Sequence, residues 1–227
     1  MNNINLMQNW FLDTPYGSYI LKKEIEFYKK NIQNIYGYYG LQIYFEKINL
    51  LESNTIKNKY ILNKNLRSSI NLLPFDSNSI DLIVCPHLLG LIEDYKYFLQ
   101  ECQRVLISNG KLIITSFNSK FLFNLIKLNK KEINYKTINL DILIHQLKIL
   151  NFNITNGEFF CYNPSLNLNK KIINPDTIDK IGNRWFPTLS SNFGIVAIKY
   201  NIPLNNIIDK QQFVKEIFIP SLINAKT

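Results

Sequence analysis

His87, set directly after the Cys85-Pro86 step, is the residue of this 227-residue chain best suited by type and context to move a proton. An imidazole changes charge near neutral pH, so His87 could deprotonate an amine or a hydroxyl. It could equally hold its own loop by a backbone hydrogen bond. His145, the other histidine, falls inside a helical pattern from Thr137 to Leu150 and reads as a surface or packing residue. Asn118, at the end of the apolar run Leu112 to Phe117, is a second candidate. Gly37, Gly40 and Gln42 are a third group, since closely spaced glycines let a backbone approach a ligand. Cys85, Cys102 and Cys161 stand singly in apolar surroundings without C-x-x-C spacing. Neither a zinc site nor a disulfide framework is expected, and buried reduced thiols are the plainer reading.

The elements that must position these residues follow from hydrophobic pattern. Ile80 to Cys85 is continuously apolar except for Asp81, which suits a parallel strand covered on both faces, and Pro86 ends it. From Asp94, a fair N-cap, the residues Tyr95, Phe98, Leu99, Cys102, Val105 and Leu106 recur at helical spacing. Asn109-Gly110 predicts a stop, and Leu112 to Phe117 a second buried strand. This strand, helix, strand order is half of a doubly wound α/β sheet, in which ligands bind at the C-terminal ends of the strands. His87 and Asn118 both lie at such ends, whereas Asp81 begins its strand and has a structural role. Upstream, Trp10 to Lys30 predicts one helix, capped by Asp13 or Thr14 with Pro15 in its first turn. Downstream come a helix at Phe121 to Leu128 and strands at Asn153 to Tyr162 and Gly194 to Tyr200.

Composition is that of one globular domain, with 46% hydrophobic and 19% charged residues. The formal charge of +9 raises the question of a nucleic-acid partner. Lys and Arg are nevertheless spread along the chain, in pairs such as Lys22-Lys23 and Lys130-Lys131, and not gathered into a run with interleaved aromatics, so such a partner is disfavoured. No apolar run approaches the roughly 20 residues that span a bilayer, and the N-terminus lacks the plan of a signal peptide, so a cytoplasmic protein with no membrane partner is expected.

Leu73-Pro74-Phe75, Ser79 and Asp81, then Glu101-x-x-Arg104-Val105-Leu106, Gly110 and Asn118, form a pattern. It resembles the second half of the class I S-adenosylmethionine-dependent methyltransferases of the small-molecule kind called type 11. Trp10, Thr14 and Gly17, then Gly37, Leu41 and Gln42, Cys85-Pro86-His87, Phe160-Cys161-Tyr162 with Pro164, and Arg184-Trp185 with Pro187 extend the likeness over roughly residues 10 to 200. Together they resemble an uncharacterised bacterial subgroup with a degenerate glycine-rich loop.

The resemblance implies an α/β, Rossmann-like, doubly wound, seven-stranded, mostly parallel sheet with a C-terminal antiparallel hairpin. Residues 1–200 would form that domain, helix 10–30 included, and residues 201–227 a tail. S-adenosyl-L-methionine would be the cofactor, held near Gly37, Gly40, Gln42, Asn63, Leu73, Pro74 and Phe75. His87 and Asn118 would be the catalytic pair, and the methyl acceptor a small molecule. Tyr162, Arg184 and Trp185 would cover the substrate, or Trp185 and Phe186 would cap an apolar edge. Two departures bear on the cofactor. Tyr44 stands where the loop expects glycine, and between Glu52 and Asp76 there is no carboxylate to accept the ribose hydroxyls. A second expectation therefore stands beside the first: a methyltransferase-fold protein that has lost its cofactor and acts as a binding or regulatory module.

Overall fold

The computed structural model describes residues 2–62, 69–120, 133–162, 175–185 and 187–200. Helices α1 (Asn2–Asp13) and α2 (Pro15–Ile32) lead into strands β1 (Tyr39–Gln42), β2 (Asn58–Ile61) and β3 (Ile80–Pro86). Helix α3 (Tyr95–Val105), β4 (Leu106–Phe117), α4 (Leu140–Ile149), β5 (Phe152–Phe160), α5 (Pro175–Trp185) and β6 (Asn192–Lys199) follow. The strands form one sheet in the order β2-β1-β3-β4-β6-β5. Strands β1 to β4 pair in parallel, and β6 lies antiparallel between β4 and β5. The described residues thus hold six strands where the pattern predicts seven. Strands β5 and β6 are connected through α5, not by a tight turn.

Alternation along the strands divides the core in two. Leu41, Ile83, Cys85, Leu112, Ile114 and Ile195 face α3 and α4 in one cluster. Leu82, Val84, Ile113, Phe117 and Val196 face α1 and α2 in the other. Both faces are covered, which is why these strands read as continuous apolar runs. All three cysteines are free and buried, and His145 is exposed on α4. No helix of the described residues is long and apolar enough to cross a membrane.

Two local expectations are corrected. The single helix from Trp10 to Lys30 is instead a pair, broken at Thr14, whose backbone is extended (φ −105, ψ 143). Thr14 caps α2 by accepting the Gly17 amide at 3.0 Å and donates to the Trp10 carbonyl at 2.8 Å. Pro15 cannot donate a backbone hydrogen bond, so the chain turns there and α1 runs back to Asn2. The stop expected at Asn109-Gly110 comes earlier, at Val105. Leu106 is already extended, Asn109 is left-handed (φ 65), and β4 absorbs the segment as an irregularity in its register against β3. The expectations at Asn63, at Phe121 to Leu128, at Phe186 and in the tail 201–227 concern residues outside the described ones.

Candidate functional site at the C-terminal edge of the sheet

Strand β1 ends at Gln42, which is completely buried and organises the loop that follows. Its side-chain Nε2 donates to the carbonyls of Tyr44 (2.9 Å), Phe45 (3.0 Å) and Ile48 (2.7 Å), and its Oε1 accepts the Leu50 amide at 2.8 Å. Two hydrogens serve three carbonyls, so one of them is shared. Tyr44 and Phe45 are both left-handed, with φ of 57 and 55. Such a conformation costs an L-residue roughly 1–2 kcal/mol. A bend usually given to glycines is thus made here by residues that are not glycine, held by the Gln42 amide together with the Ile48 amide on the Phe45 carbonyl at 2.9 Å.

His87 follows β3 at the same edge, left-handed (φ 51) and fully buried. Its Nε2 lies 2.5 Å from Oε1 of Glu24, a residue of α2 that is only 2% exposed. Asn192 donates to the same Glu24 oxygen at 2.9 Å, and Thr115 donates to the other at 3.2 Å. The opposite ring nitrogen, Nδ1, lies 3.4 Å from the Tyr135 hydroxyl, which also pairs with Ser116 at 2.9 Å. Gly90 makes room for that contact. A Cβ there would come within 2.2 Å of the Tyr135 ring. Burial pushes the Tyr135 hydroxyl and the Cys85 thiol far above their ordinary values, so both stay protonated.

Aromatic rings close over His87. Phe117 is 4.6 Å from it between ring centres, Phe11 is 4.7 Å away, and Tyr135 and Phe45 lie at 6.1 and 6.4 Å. Phe11 comes from α1, Phe45 from the loop after β1, and Phe117 from the end of β4. Helix α1 therefore crosses the C-terminal edge. Its buried face reads Ile4, Met7, Gln8 and Phe11, the i, i+3, i+4, i+7 stripe of an amphipathic helix. Ile4 packs against one half of the core, Met7 and Phe11 against the other. Gln8 is 1% exposed, and its Oε1 is the one buried side-chain polar atom among the described residues that has no hydrogen-bond partner.

The remaining sequence candidates fall elsewhere or are occupied. Gly37 precedes β1, at the end of the strand opposite the edge, and a Cβ there would come within 2.3 Å of Asp81 Cγ. The Asp81 carboxylate accepts the amides of Tyr38 and Tyr39 at 2.8 and 2.9 Å, which is the structural role expected of it. Gly40 lies within β1, and a Cβ there would meet Ile56 and Leu51 at ordinary contact distance. Leu73, Pro74 and Phe75 sit beside the C-terminal end of α3. Arg104 donates to the Leu73 and Phe75 carbonyls at 3.0 and 2.9 Å, and Glu101 accepts the Leu73 amide at 3.0 Å. The pair also bonds itself in the bidentate way, at 2.9 Å for each contact, and this holds the Glu101 carboxyl below its ordinary value. Asn118 is 1% exposed. Its amide donates to the Thr188 and Ser190 carbonyls at 2.8 and 3.1 Å, and its oxygen accepts the Lys120 amide at 3.0 Å. The structure thus brings together Gln42 and His87 at the edge, with Asn118 bracing the adjacent segment, and places Gly37 at the opposite end of β1 and Leu73, Pro74 and Phe75 against α3.

Sequence reasoning missed Glu24, Gln8 and Tyr135. A signal existed for the first two, because each is a polar residue on an otherwise apolar helical stripe: Ile20, Glu24, Phe27 and Tyr28 in α2, and Ile4, Gln8 and Phe11 in α1. Tyr135 carries no such signal. Trp185, a candidate cover for the substrate, is 66% exposed with Arg184 5.6 Å from its ring. Tyr162 packs against α5, where a Cβ on Gly182 would come within 2.2 Å of its ring.

A parallel sheet with one reversed strand next to its edge is shared with known proteins. The type 11 methyltransferase domain family matches residues 26–114. A crystal structure of an S-adenosylmethionine-dependent methyltransferase from Archaeoglobus fulgidus superposes with a TM-score of 0.58, at 17% identity, over 79% of this chain and 93% of that one. The chain has the class I methyltransferase fold. Two curated proteins share sequence with the chain. The uncharacterised protein MJ0638 of Methanocaldococcus jannaschii is 29% identical over 66% of this chain, and the uncharacterised protein YafS of Escherichia coli K12 is 30% identical over 58%. The chain spans 64% and 53% of those relatives' lengths, less than two thirds in each case.

Proposed function

We propose that this protein is an S-adenosylmethionine-dependent methyltransferase acting on a small molecule, with its cofactor at the edge formed by Gln42, the loop after it and helix α1. The observation that supports this reading best is the Tyr44-Phe45 bend, two consecutive left-handed residues directly after the first strand, where the resemblance expects the cofactor loop. A second is the unpaired buried acceptor on α1. When bound, S-adenosylmethionine supplies a sulfonium methyl group that passes in line to a nucleophile about 3 Å away. The protein's task is then alignment and exclusion of water. Gln42 shapes the loop, Asn118 fixes the segment after β4 to the segment before β6, and the His87-Glu24 pair secures the end of β3. His87 would be the histidine able to take a proton from the acceptor at this edge, reached only if the rings over it part.

The acceptor would be small. A cleft of about 440 Å³ opens beside the C-terminal end of β5, with Phe27, Phe159 and Phe160 at its base and Lys23, Lys30, Glu158, Asp179 and Lys180 around it. Its volume lies within the ordinary range for small ligands, and its mixed charges suit a zwitterion. One observation favours the alternative of a binding module that has lost its cofactor: Phe11, Phe45 and Phe117 pack closely around His87. Calorimetric titration with S-adenosylhomocysteine separates the two. Saturable heat at micromolar to millimolar ligand is expected, and no heat at millimolar ligand would sink the enzyme reading.

A further inference from the structure

We infer that Gln8 Oε1 accepts a hydrogen bond from the bound ligand at the C-terminal edge, from an N–H or O–H group of the kind that the cofactor's ammonium and ribose carry. The inference rests on the cofactor reading above and adds to it a contact from α1. A buried acceptor without a donor costs roughly 1–3 kcal/mol, and native interiors contain few of them. Gln8 is 1% exposed and lies one helical turn from Phe11, which touches the ring of His87. Its neighbours on the buried stripe, Ile4, Met7 and Phe11, are all apolar and offer no side-chain donor. The other glutamine at this edge, Gln42, spends both ends of its amide on the β1 loop, so the edge contains one glutamine that is satisfied internally and one that is not. The chain also lacks a carboxylate between Glu52 and Asp76, where the ribose acceptor is expected, so an acceptor supplied from α1 would meet an otherwise unmet need.

The test compares Gln8→Leu and Gln8→Glu with the wild type, by titration calorimetry against S-adenosylhomocysteine and 5′-methylthioadenosine, and by thermal unfolding without ligand. Methylthioadenosine carries the ribose hydroxyls without the ammonium. Gln8→Leu is expected to weaken S-adenosylhomocysteine about tenfold, the value of one hydrogen bond, while the unliganded protein melts at the same temperature or higher because an unpaired acceptor has gone. Gln8→Glu keeps the acceptor and is expected to bind within about threefold of the wild type or tighter. Equal weakening of both ligands by Gln8→Leu assigns the hydroxyls, and weakening of S-adenosylhomocysteine alone assigns the ammonium. Unchanged affinity for both ligands overturns the inference, whatever the melting temperature. A wild type that binds neither ligand overturns the cofactor reading itself, and this inference falls with it.

Discussion

Replacing Gly37 by alanine tests whether that glycine serves a ligand or the end of a strand. The new Cβ would stand 2.3 Å from Asp81 Cγ and 2.5 Å from Oδ1, distances that no relaxed structure tolerates. Asp81 must withdraw, and with it go the hydrogen bonds to the Tyr38 and Tyr39 amides at 2.8 and 2.9 Å. A bond to a charged acceptor is worth about 1.5–3 kcal/mol when buried, but this strand end is partly wet and water replaces part of the loss, leaving about 1 kcal/mol each. The alanine also lowers the entropy of the unfolded chain, which returns roughly 0.5 kcal/mol. The net expectation is a loss of about 1.5 kcal/mol, or about 3–6 °C in melting temperature for a chain of this size. Calorimetric melting and urea unfolding read it directly. Asp81→Ala should cost a similar amount, and adding Gly37→Ala to it should cost almost nothing more, because the two changes remove the same contacts. Affinity for S-adenosylhomocysteine should change less than twofold. A variant that melts like the wild type would refute the clash with Asp81, and one that keeps its stability while losing the ligand would show that Gly37 serves the ligand instead.

Other outcomes follow from the same geometry. Glu101→Gln should cost about 1 kcal/mol at pH 7, a modest figure because Arg104 is 32% exposed and solvent screens the pair. Glu101 has its carboxyl lowered chiefly by Arg104, so its contribution is complete above the unfolded value of about 4.3 and fades as pH falls through the lower folded one. Urea unfolding at pH 7 and pH 3 should therefore show the gap to the variant shrinking in acid, and a constant gap would refute the pairing. Cys85, Cys102 and Cys161 are fully buried with their thiols pushed up by desolvation, so a thiol reagent at pH 8 should react only at the rate of unfolding. Reaction of one equivalent within seconds in native buffer would contradict that burial.

What the sequence revealed was mostly what local pattern controls. Ile80 to Cys85, the Asp94 cap and the α3 stripe depend on residues a few positions apart, and each stands as expected, with the Asp94 carboxylate accepting the Lys96 amide at 2.9 Å. The LPF turn and the Glu101-x-x-Arg104 motif are legible as a family pattern, and the structure gives its cause: the second clamps the backbone of the first. The ends of strands are harder to read. Whether Gly37 lies before β1 or after it depends on where a four-residue strand begins, and the partner that decides it, Asp81, is 44 residues away. Glu24 was hidden for a similar reason. A glutamate in a lysine-rich helix passes for a solvated charge, and its partners His87, Thr115 and Asn192 come from three distant strand ends that only the closed sheet brings together.

The loop after β1 carries its shape in a way that alters how it can fail. Where glycines make a bend, each position contributes its own freedom and can be lost separately. Here a single side chain ties Tyr44, Phe45, Ile48 and Leu50 together, so the loop behaves as a unit fastened chiefly at one place. Losing the Gln42 amide would remove a contact from four backbone groups at once, the Phe45 carbonyl keeping the Ile48 amide at 2.9 Å, whereas glycine at 44 or 45 would relieve conformational cost without touching the fastening. One position of the strand therefore reaches four positions of the loop, and a change at Gln42 is felt at all of them together.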